Sequence, residues 1–381
     1  MKLLKLTACG LPLFSSELTI NFFAQQRVDD KTRDTLYPLS PKHYLNCANA
    51  FIGINASGKT SVLKVIALAL EILNSQPINH IETRDILGNT SEAVITTIFL
   101  SDVNELCKLE TRISYDGVLY KIIAETLWVK PLRAASSKTG LTDFSKISPI
   151  NTRSNNEAFL PDDVSIVIAY NRKVGQQIHM KSLLSLTNIN ILSVYNDISS
   201  EVIHFFDPSI ETISFDVHNQ KLPIHLKFEG KEEILLSNPF ELNNFLSSGT
   251  IKGIVTFTFA IQTLQNGGYL IIDELENHFN KEITATLIRL FTDSSLNRNG
   301  GTLIFSTHYS ELLDIFSRND SIFITKNQDG ITATNLAVLL KRNDIKKSEA
   351  YQSDIFEGTA PSYEVYMKLK NRIKNILSGE Y

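Results

Sequence analysis

The chain has 381 residues, 43% of them apolar and 20% charged, and a formal net charge of −4. Such a composition is ordinary for a soluble globular protein, and the length suits one large domain or two modest ones with a sizeable core. The acidic balance excludes a wholly basic nucleic-acid binder, so any contact with DNA or RNA has to come from a local patch.

Cys9, Cys47 and Cys107 are widely spaced and suggest neither a disulfide framework nor a zinc site. A reducing, cytoplasmic compartment is the expectation. The first residues, Met1-Lys-Leu-Leu-Lys-Leu, lack the long apolar core of a secretory leader. No apolar run approaches the ~18 residues that would cross a bilayer, so no membrane contact is expected.

Residues 3–26 read as two strands around a turn, with Pro12 and Ser15-Ser16 between Leu4–Ala8 and the alternating Leu18–Phe23. Residues 27–42 are polar and read as an exposed loop. A short apolar strand, Ala48–Ile52, then leads into Gly53-Ile-Asn-Ala-Ser-Gly-Lys-Thr60, the G-x-x-x-x-G-K-T pattern of a phosphate-binding loop. Gly53 and Gly58 let the backbone bend and bring N–H groups against phosphate oxygens. The expected cradle comprises Gly53, Asn55, Ala56, Ser57, Gly58, Lys59, Thr60 and Ser61. A helix starting near Lys59 and running to about Leu73 aims its positive end at the same oxygens. Lys59 is expected to reach the β- and γ-phosphates of ATP, and Thr60 to bind Mg²⁺.

A β-rich stretch follows. Ala93–Leu100 is one strand, and Leu109–Tyr115 and Val118–Ile123 flank Asp116-Gly117, a two-residue hairpin signal. Residues 130–158 mix Lys130, Arg133, Lys138, Lys146 and Arg153 with Ser, Thr, Gly and Pro, with Asp143 the only acid before Glu157, and read as a mobile loop. Val164–Tyr170 reads as a strand and 180–206 as helical, without sustained heptads. Ile210–Val217 and Leu222–Phe228 read as paired strands. His204, His218 and His225 have no metal-ligand spacing and are expected to be structural.

The second half opens with Phe245-Leu-Ser-Ser-Gly-Thr250 at the head of a helix running to about Leu264. Tyr269-Leu-Ile-Ile is an apolar strand ending in Asp273-Glu274. Thr302–Thr307 is another, ending in His308. Ser310–Phe316 reads as helical, Ser321–Thr325 as a strand, and 364–377 as a basic helix carrying Lys368, Lys370, Arg372 and Lys374. Strands alternating with helices indicate an α/β fold with a mostly parallel core sheet, to which the hairpin region adds an antiparallel β lobe and the middle of the chain an inserted helical region.

Buried parallel strands bring their C-terminal ends beside the phosphate loop. Asp273 is expected at a strand tip as a Mg²⁺ ligand, Glu274 as the general base toward attacking water, and His308 as a sensor of the γ-phosphate. Ser247, Ser248 and Gly249 form a second anion site at a helix N-terminus, separate from the first. One nucleotide in a single head cannot easily use both, whereas two facing heads can exchange them.

The order phosphate loop, Leu-Ser-Ser-Gly-Thr, Leu-Ile-Ile-Asp-Glu and Ser-Thr-His resembles the ATP-binding-cassette (ABC-type) heads of the SMC, RecF and OLD group. The likeness is strongest to the OLD-like ATPases of bacterial defence systems, the AAA15 and AAA21 families. Asp273-Glu-Leu-Glu-Asn277 matches that group's Walker B region, whereas Asn280-Lys281 stands where the group has a His-Pro pair. The resemblance implies one ABC-type P-loop NTPase head over 1–381: a phosphate-loop half with β lobe (1–130), an inserted loop, helical and β region (131–240), and a signature, Walker B and histidine half (241–381). It also implies a homodimer or higher oligomer closing on ATP, with ATP and Mg²⁺ as cofactors. The stretch after His308 holds too few strands and no acidic cluster for the Toprim nuclease domain of OLD proteins. The expectation is therefore an ATPase regulating a separate effector, a nuclease or toxin of Toprim, RloB-like or HNH type, in anti-phage abortive infection. The alternative is a RecF-like DNA-repair head that clamps DNA, which a basic stripe of 130–153 with 364–377 would favour. A transporter ATPase is a weaker third reading, since Thr250 stands in place of the usual glutamine.

Overall fold

The computed structural model describes every residue except 134–135, 155–159, 196–197, 217–222, 343–344, 360–362 and 379–381. His218 and Glu157, and the ends of the strands expected at Val217 and Leu222, lie outside the described residues. The strands of the first half are β1 (Lys2–Cys9), β2 (Leu18–Asn21), β3 (Leu36–Ser40), β4 (His43–Asn46), β5 (Ala48–Ile52), β6 (Ala93–Leu100), β7 (Glu105–Tyr115), β8 (Tyr120–Pro131), β9 (Pro149–Ser154) and β10 (Met180–Leu183). Those of the second half are β11 (Ile210–Phe215), β12 (Ile224–Phe228), β13 (Ile234–Leu236), β14 (Tyr269–Ile272), β15 (Thr302–Thr307), β16 (Ile322–Asn327) and β17 (Ile331–Asn335). The α-helices are α1 (Asp30–Arg33), α2 (Lys59–Leu73), α3 (Lys138–Thr142), α4 (Val167–Val174), α5 (Ser200–Phe206), α6 (Ser248–Asn266), α7 (Lys281–Thr292), α8 (Leu336–Leu339), α9 (Lys347–Gln352) and α10 (Tyr363–Ser378).

The central sheet has the order β10-β14-β15-β5-β16-β17, parallel except for β17. Its inner strands are buried along their whole length in β5, β14 and β15, as both-face burial in an α/β sheet demands. Alternation then divides the core. Phe51, Ile271, Ile304 and Phe323 face α2 and the antiparallel sheet β2-β1-β6-β7-β8-β9. Ala50, Ile52, Ile272, Phe305 and Ile324 face α6 and α7. Phe51 stacks on Phe323 across neighbouring strands, with centroids 4.9 Å apart. The three-stranded sheet β11-β12-β13 shares the second core.

Several local expectations are corrected. Residues 164–170 are not a strand. Their β-branched run is recruited into α4 because the buried Glu125 carboxylate accepts from Ser165 Oγ (2.8 Å) and Ile166 N (2.7 Å) at the helix entrance. Gly175, in the left-handed region at φ +65°, ends that helix. Residues 180–206 are not one helix: β10 pairs in parallel with the otherwise open edge of β14, and α5 forms only over its last turns. Residues 27–42 hold α1, begun by a capping box between Asp29 and Thr32, and the first strand of the β3–β4 hairpin. The β7–β8 hairpin forms, but over 116–119, with the Asp116 carboxylate accepting from Val118 N and Leu119 N.

The basic stretch 130–153 contains α3 and β9 and adds a strand to the lobe. Lys130 donates to the carbonyls of Gly140 and Asp143, and Lys138 to those of Gln25 and Gln26. Arg153 is buried and donates to the carbonyls of Val164, Leu160 and Pro161. These charges tie backbone together rather than forming an outward stripe.

Candidate nucleotide-binding site

β5 delivers the chain to the loop at the centre of the sheet, between β15 and β16. The glycines are required by close approach. A Cβ on Gly53 would fall 2.2 Å from Ser57 Oγ and 2.4 Å from Thr325 Oγ1, and one on Gly58 2.6 Å from the Ile331 side chain. Gly58 sits at φ +92° and Ala56 at φ +61°, both in the left-handed region. The buried Ser57 hydroxyl is 2.8 Å from that of Thr325, which in turn donates to the Ile52 carbonyl (3.1 Å), so Ser57 shapes the loop from within. Gly58 caps α2 without a side chain, which leaves the first N–H groups of that helix to be satisfied by something else.

The Lys59 side chain folds back over the loop. Its ammonium donates to the carbonyls of Gly53 (3.0 Å) and Ile54 (3.1 Å). Burial pushes it below the ordinary lysine range, opposed by the carboxylates of Asp273, Glu274 and Glu276. An open cleft of about 510 Å³ lies above the loop, lined by Asn55, Ala56, Ser57, Gly58, Lys59, Thr60 and Ser61 on one side. Glu274, His308, Leu13, Asn327 and Ile331 complete the lining.

Asp273 and Glu274 follow β14 directly. The Thr60 hydroxyl donates to Asp273 Oδ2 at 2.6 Å. Ser306 on β15 donates to the other Asp273 oxygen and accepts from the Glu274 backbone N–H (2.7 Å). Glu274 itself is left-handed, at φ +49° and ψ +61°. A non-glycine residue held there carries backbone strain of order 1–3 kcal/mol, kept by its surroundings. Its carboxylate accepts from Asn277 Nδ2 and lies 3.5 Å from His308 Nε2. The other ring nitrogen of His308 is 3.3 Å from Lys59 Nζ. With the ammonium donating to Nδ1, the ring proton sits on Nε2, facing Glu274. Glu276 is buried and accepts from the His308 backbone N–H, while its second oxygen has no partner among the described residues.

The Leu-Ser-Ser-Gly-Thr stretch lies elsewhere. Ser247 caps α6, its hydroxyl accepting from Thr250 N (3.0 Å) and meeting Thr250 Oγ1 at 2.8 Å. Ser247 and Ser248 are exposed and Gly249 is half-buried. None of the three lines the cleft above the phosphate loop.

Sequence reasoning gave no role to Ser306 and Glu276, although both stand in the linear motifs, and missed Thr325 and the segment 183–187, which lines a cavity of about 230 Å³ with Asp273, Glu274 and Asn277. Ser306 and Thr325 stand inside runs already read as strands, so their parallel neighbours could have flagged them. The segment after β10 was hidden by the helical reading of 180–206. Asn280, in place of the His of the His-Pro pair, caps α7 by accepting from Ile283 N (2.9 Å).

The residues present fit a magnesium ion. Two hard oxygen donors meet, Thr60 Oγ1 from the lining of the cleft and Asp273 Oδ2 from that of the cavity of about 230 Å³. Among the described residues no group of three His, Cys, Asp or Glu forms an all-protein cage. Sparse protein ligation completed by phosphate oxygens and water is the usual state of Mg²⁺.

The family model AAA_21, described as "AAA domain, putative AbiEii toxin, Type IV TA system", matches residues 48–314. The chain belongs to this AAA-domain family. The matched span runs from the first residue of β5 past His308, so it takes in the phosphate loop, α6, Asp273-Glu274 and the strand-end histidine. An AAA_21 chain is an ATP-hydrolysing P-loop NTPase of the ABC type, and this one carries the family's nucleotide-binding architecture.

Among solved structures, the AAA_21 chain is similar to the SMC head domain from Thermotoga maritima, at 12% identity and a TM-score of 0.44, covering 88% of this chain and 99% of that one. It is also similar to the recombination mediator protein RecF-ATPrS in the RecFOR pathway, at 10% identity and a TM-score of 0.37, covering 88% and 98%. No curated protein matches the sequence. Among the described residues no helix is long and apolar enough to cross a membrane.

Proposed function

We propose that two copies of this chain, each a single head over residues 1–381, close face to face on ATP, and that closure regulates a separate effector. The observation that carries this reading is the separation of Ser247, Ser248 and Gly249 from the cleft of their own chain. The two serines stand exposed, and Gly249 half-buried, at the start of a 19-residue helix whose N–H groups favour an anion. A second head supplies the phosphate that this surface suits.

Within one head, the loop N–H groups from Asn55 to Ser61 and the Lys59 ammonium bind the β- and γ-phosphate oxygens of ATP. Thr60 and Asp273 hold Mg²⁺, which when bound offsets phosphate charge. Glu274 orients the attacking water and takes its proton as the water oxygen bonds to the γ-phosphorus and ADP departs. His308 stands between Lys59 and Glu274, contacting both, and reports whether the γ-phosphate side is filled. Glu276 fixes the backbone of that histidine.

The effector is a nuclease or toxin encoded separately, and the setting is anti-phage abortive infection. The family description, a putative toxin of a toxin–antitoxin system, supports that setting. A DNA clamp finds less support, since Lys130, Lys138 and Arg153 are engaged with carbonyls.

The test is light scattering of the Glu274→Gln protein with and without ATP–Mg²⁺. ATP should shift it toward a dimer or higher oligomer, since a ligand bound by the closed state pulls that equilibrium. Adding Ser248→Arg should abolish the shift and leave ATP affinity of the single head within a few fold. An ATP-dependent shift that survives Ser248→Arg would falsify the facing-head arrangement.

A further inference from the structure

α10 is unlike every other long helix of the molecule. Where α2, α6 and α7 bury an apolar face, α10 exposes its own. Leu369 is 59% exposed, Ile373 46%, Ile376 56% and Leu377 81%. Tyr366, 53% exposed, extends the row and has the Lys370 ammonium 6.0 Å from its ring centroid.

The spacing is regular. Tyr366, Leu369, Ile373 and Ile376 follow the 3-4-3 interval that places residues on one stripe of a helix. With those four as a and d positions, Lys370 falls at e and Arg372 at g, so a cation borders the stripe on each side. Lys368 and Lys374 extend the positive flanks, and Glu364 is the only acid from 363 to 378.

Charge decides what can cover such a stripe. A second copy of α10 brings further cations and, besides Glu364, no acid to the pair, so it offers no complementary charge. The complementary occupant has apolar a and d residues and acidic flanks. We propose that α10 is a docking element for an acidic amphipathic helix of a different protein. It goes beyond the nucleotide reading and needs neither ATP nor head closure.

The experiment uses the full chain and a fluorescent 21-residue probe peptide with Leu at a and d and Glu at e and g. A matched peptide carries Lys at e and g. In fluorescence anisotropy at about 50 mM salt the acidic peptide should bind at least tenfold more tightly than the basic one, with or without ATP. The difference should narrow at about 0.5 M salt, where exposed charges are screened. Leu369→Ser with Ile373→Ser should remove binding, with an unchanged thermal melt because neither side chain is in the core. Lys370→Glu with Arg372→Glu should reverse the preference, a result that a misfolded helix cannot give. Equal binding of the two peptides overturns the proposal. So does self-association that the double serine variant abolishes, or tighter binding to phosphatidylserine vesicles or to duplex DNA than to the acidic peptide.

Discussion

The phosphate loop and the Ser247–Gly249 stretch both stand at the start of a helix, and they are built in opposite ways. The loop is moulded on all sides. Ile331 fills the space behind Gly58, Thr325 and Ser57 fill that behind Gly53, and Lys59 is already folded over it. The signature stretch has its cap hydroxyl turned onto its own helix and its next serine facing outward. A site completed within one chain is preorganised, whereas one completed by another chain can remain open until the partner arrives.

That contrast can be broken at either end. The largest effect is expected at Glu274. Exchanging its carboxylate for the Gln amide keeps the shape, removes the proton acceptor and should slow steady-state hydrolysis by roughly a hundredfold or more; turnover near wild type would transfer the base to another residue. Next comes Lys59→Ala. The loop loses its cation, and charge-assisted bonds of roughly 1.5–3 kcal/mol each imply about a hundredfold weaker ATP binding. Calorimetry showing unchanged affinity would remove the phosphate loop from the nucleotide site. The smallest effect is expected from Ser247→Ala. Loss of the cap should cost about 1 kcal/mol in denaturant unfolding, with ATP affinity of the isolated head unaltered. A tenfold fall in that affinity would mean that the two turns serve one nucleotide in one chain.

The core of the fold was readable because its strands are buried on both faces. Ala48–Ile52, Tyr269–Ile272 and Thr302–Thr307 are mostly apolar runs, and each expected strand is present within a residue of its limits. Their order, β14-β15-β5-β16, put the polar residues at their ends around one cleft. The middle of the chain was not readable for the same physical reason reversed. At α4 a β-branched run is overruled by one buried carboxylate, Glu125, contributed from another strand. At β10 a segment of mixed character becomes a strand because β14 has an open edge. Neither partner can be found by local periodicity. At the site, the residues in the linear motifs were visible. Ser306 and Glu276 stood inside those motifs without a role; with Thr325, Ser306 gains one once parallel strands are laid side by side, and Glu276 once the His308 backbone is brought to it.

The placing of β5 has a consequence for how the molecule is made. Its neighbours in the sheet are β15 and β16, and Ile331, which moulds the turn at Gly58, comes later still. All arrive more than two hundred residues downstream. At a synthesis rate of ~5–20 residues per second, that is on the order of 10–50 s during which a strand buried along its whole length in the finished fold has no neighbouring strands in its sheet. The nascent chain therefore has its nucleotide motif long before it has a nucleotide site. The wait is a window for chaperone contact or for mispairing between chains on one polysome, and the loop is completed only as the last third of the protein emerges.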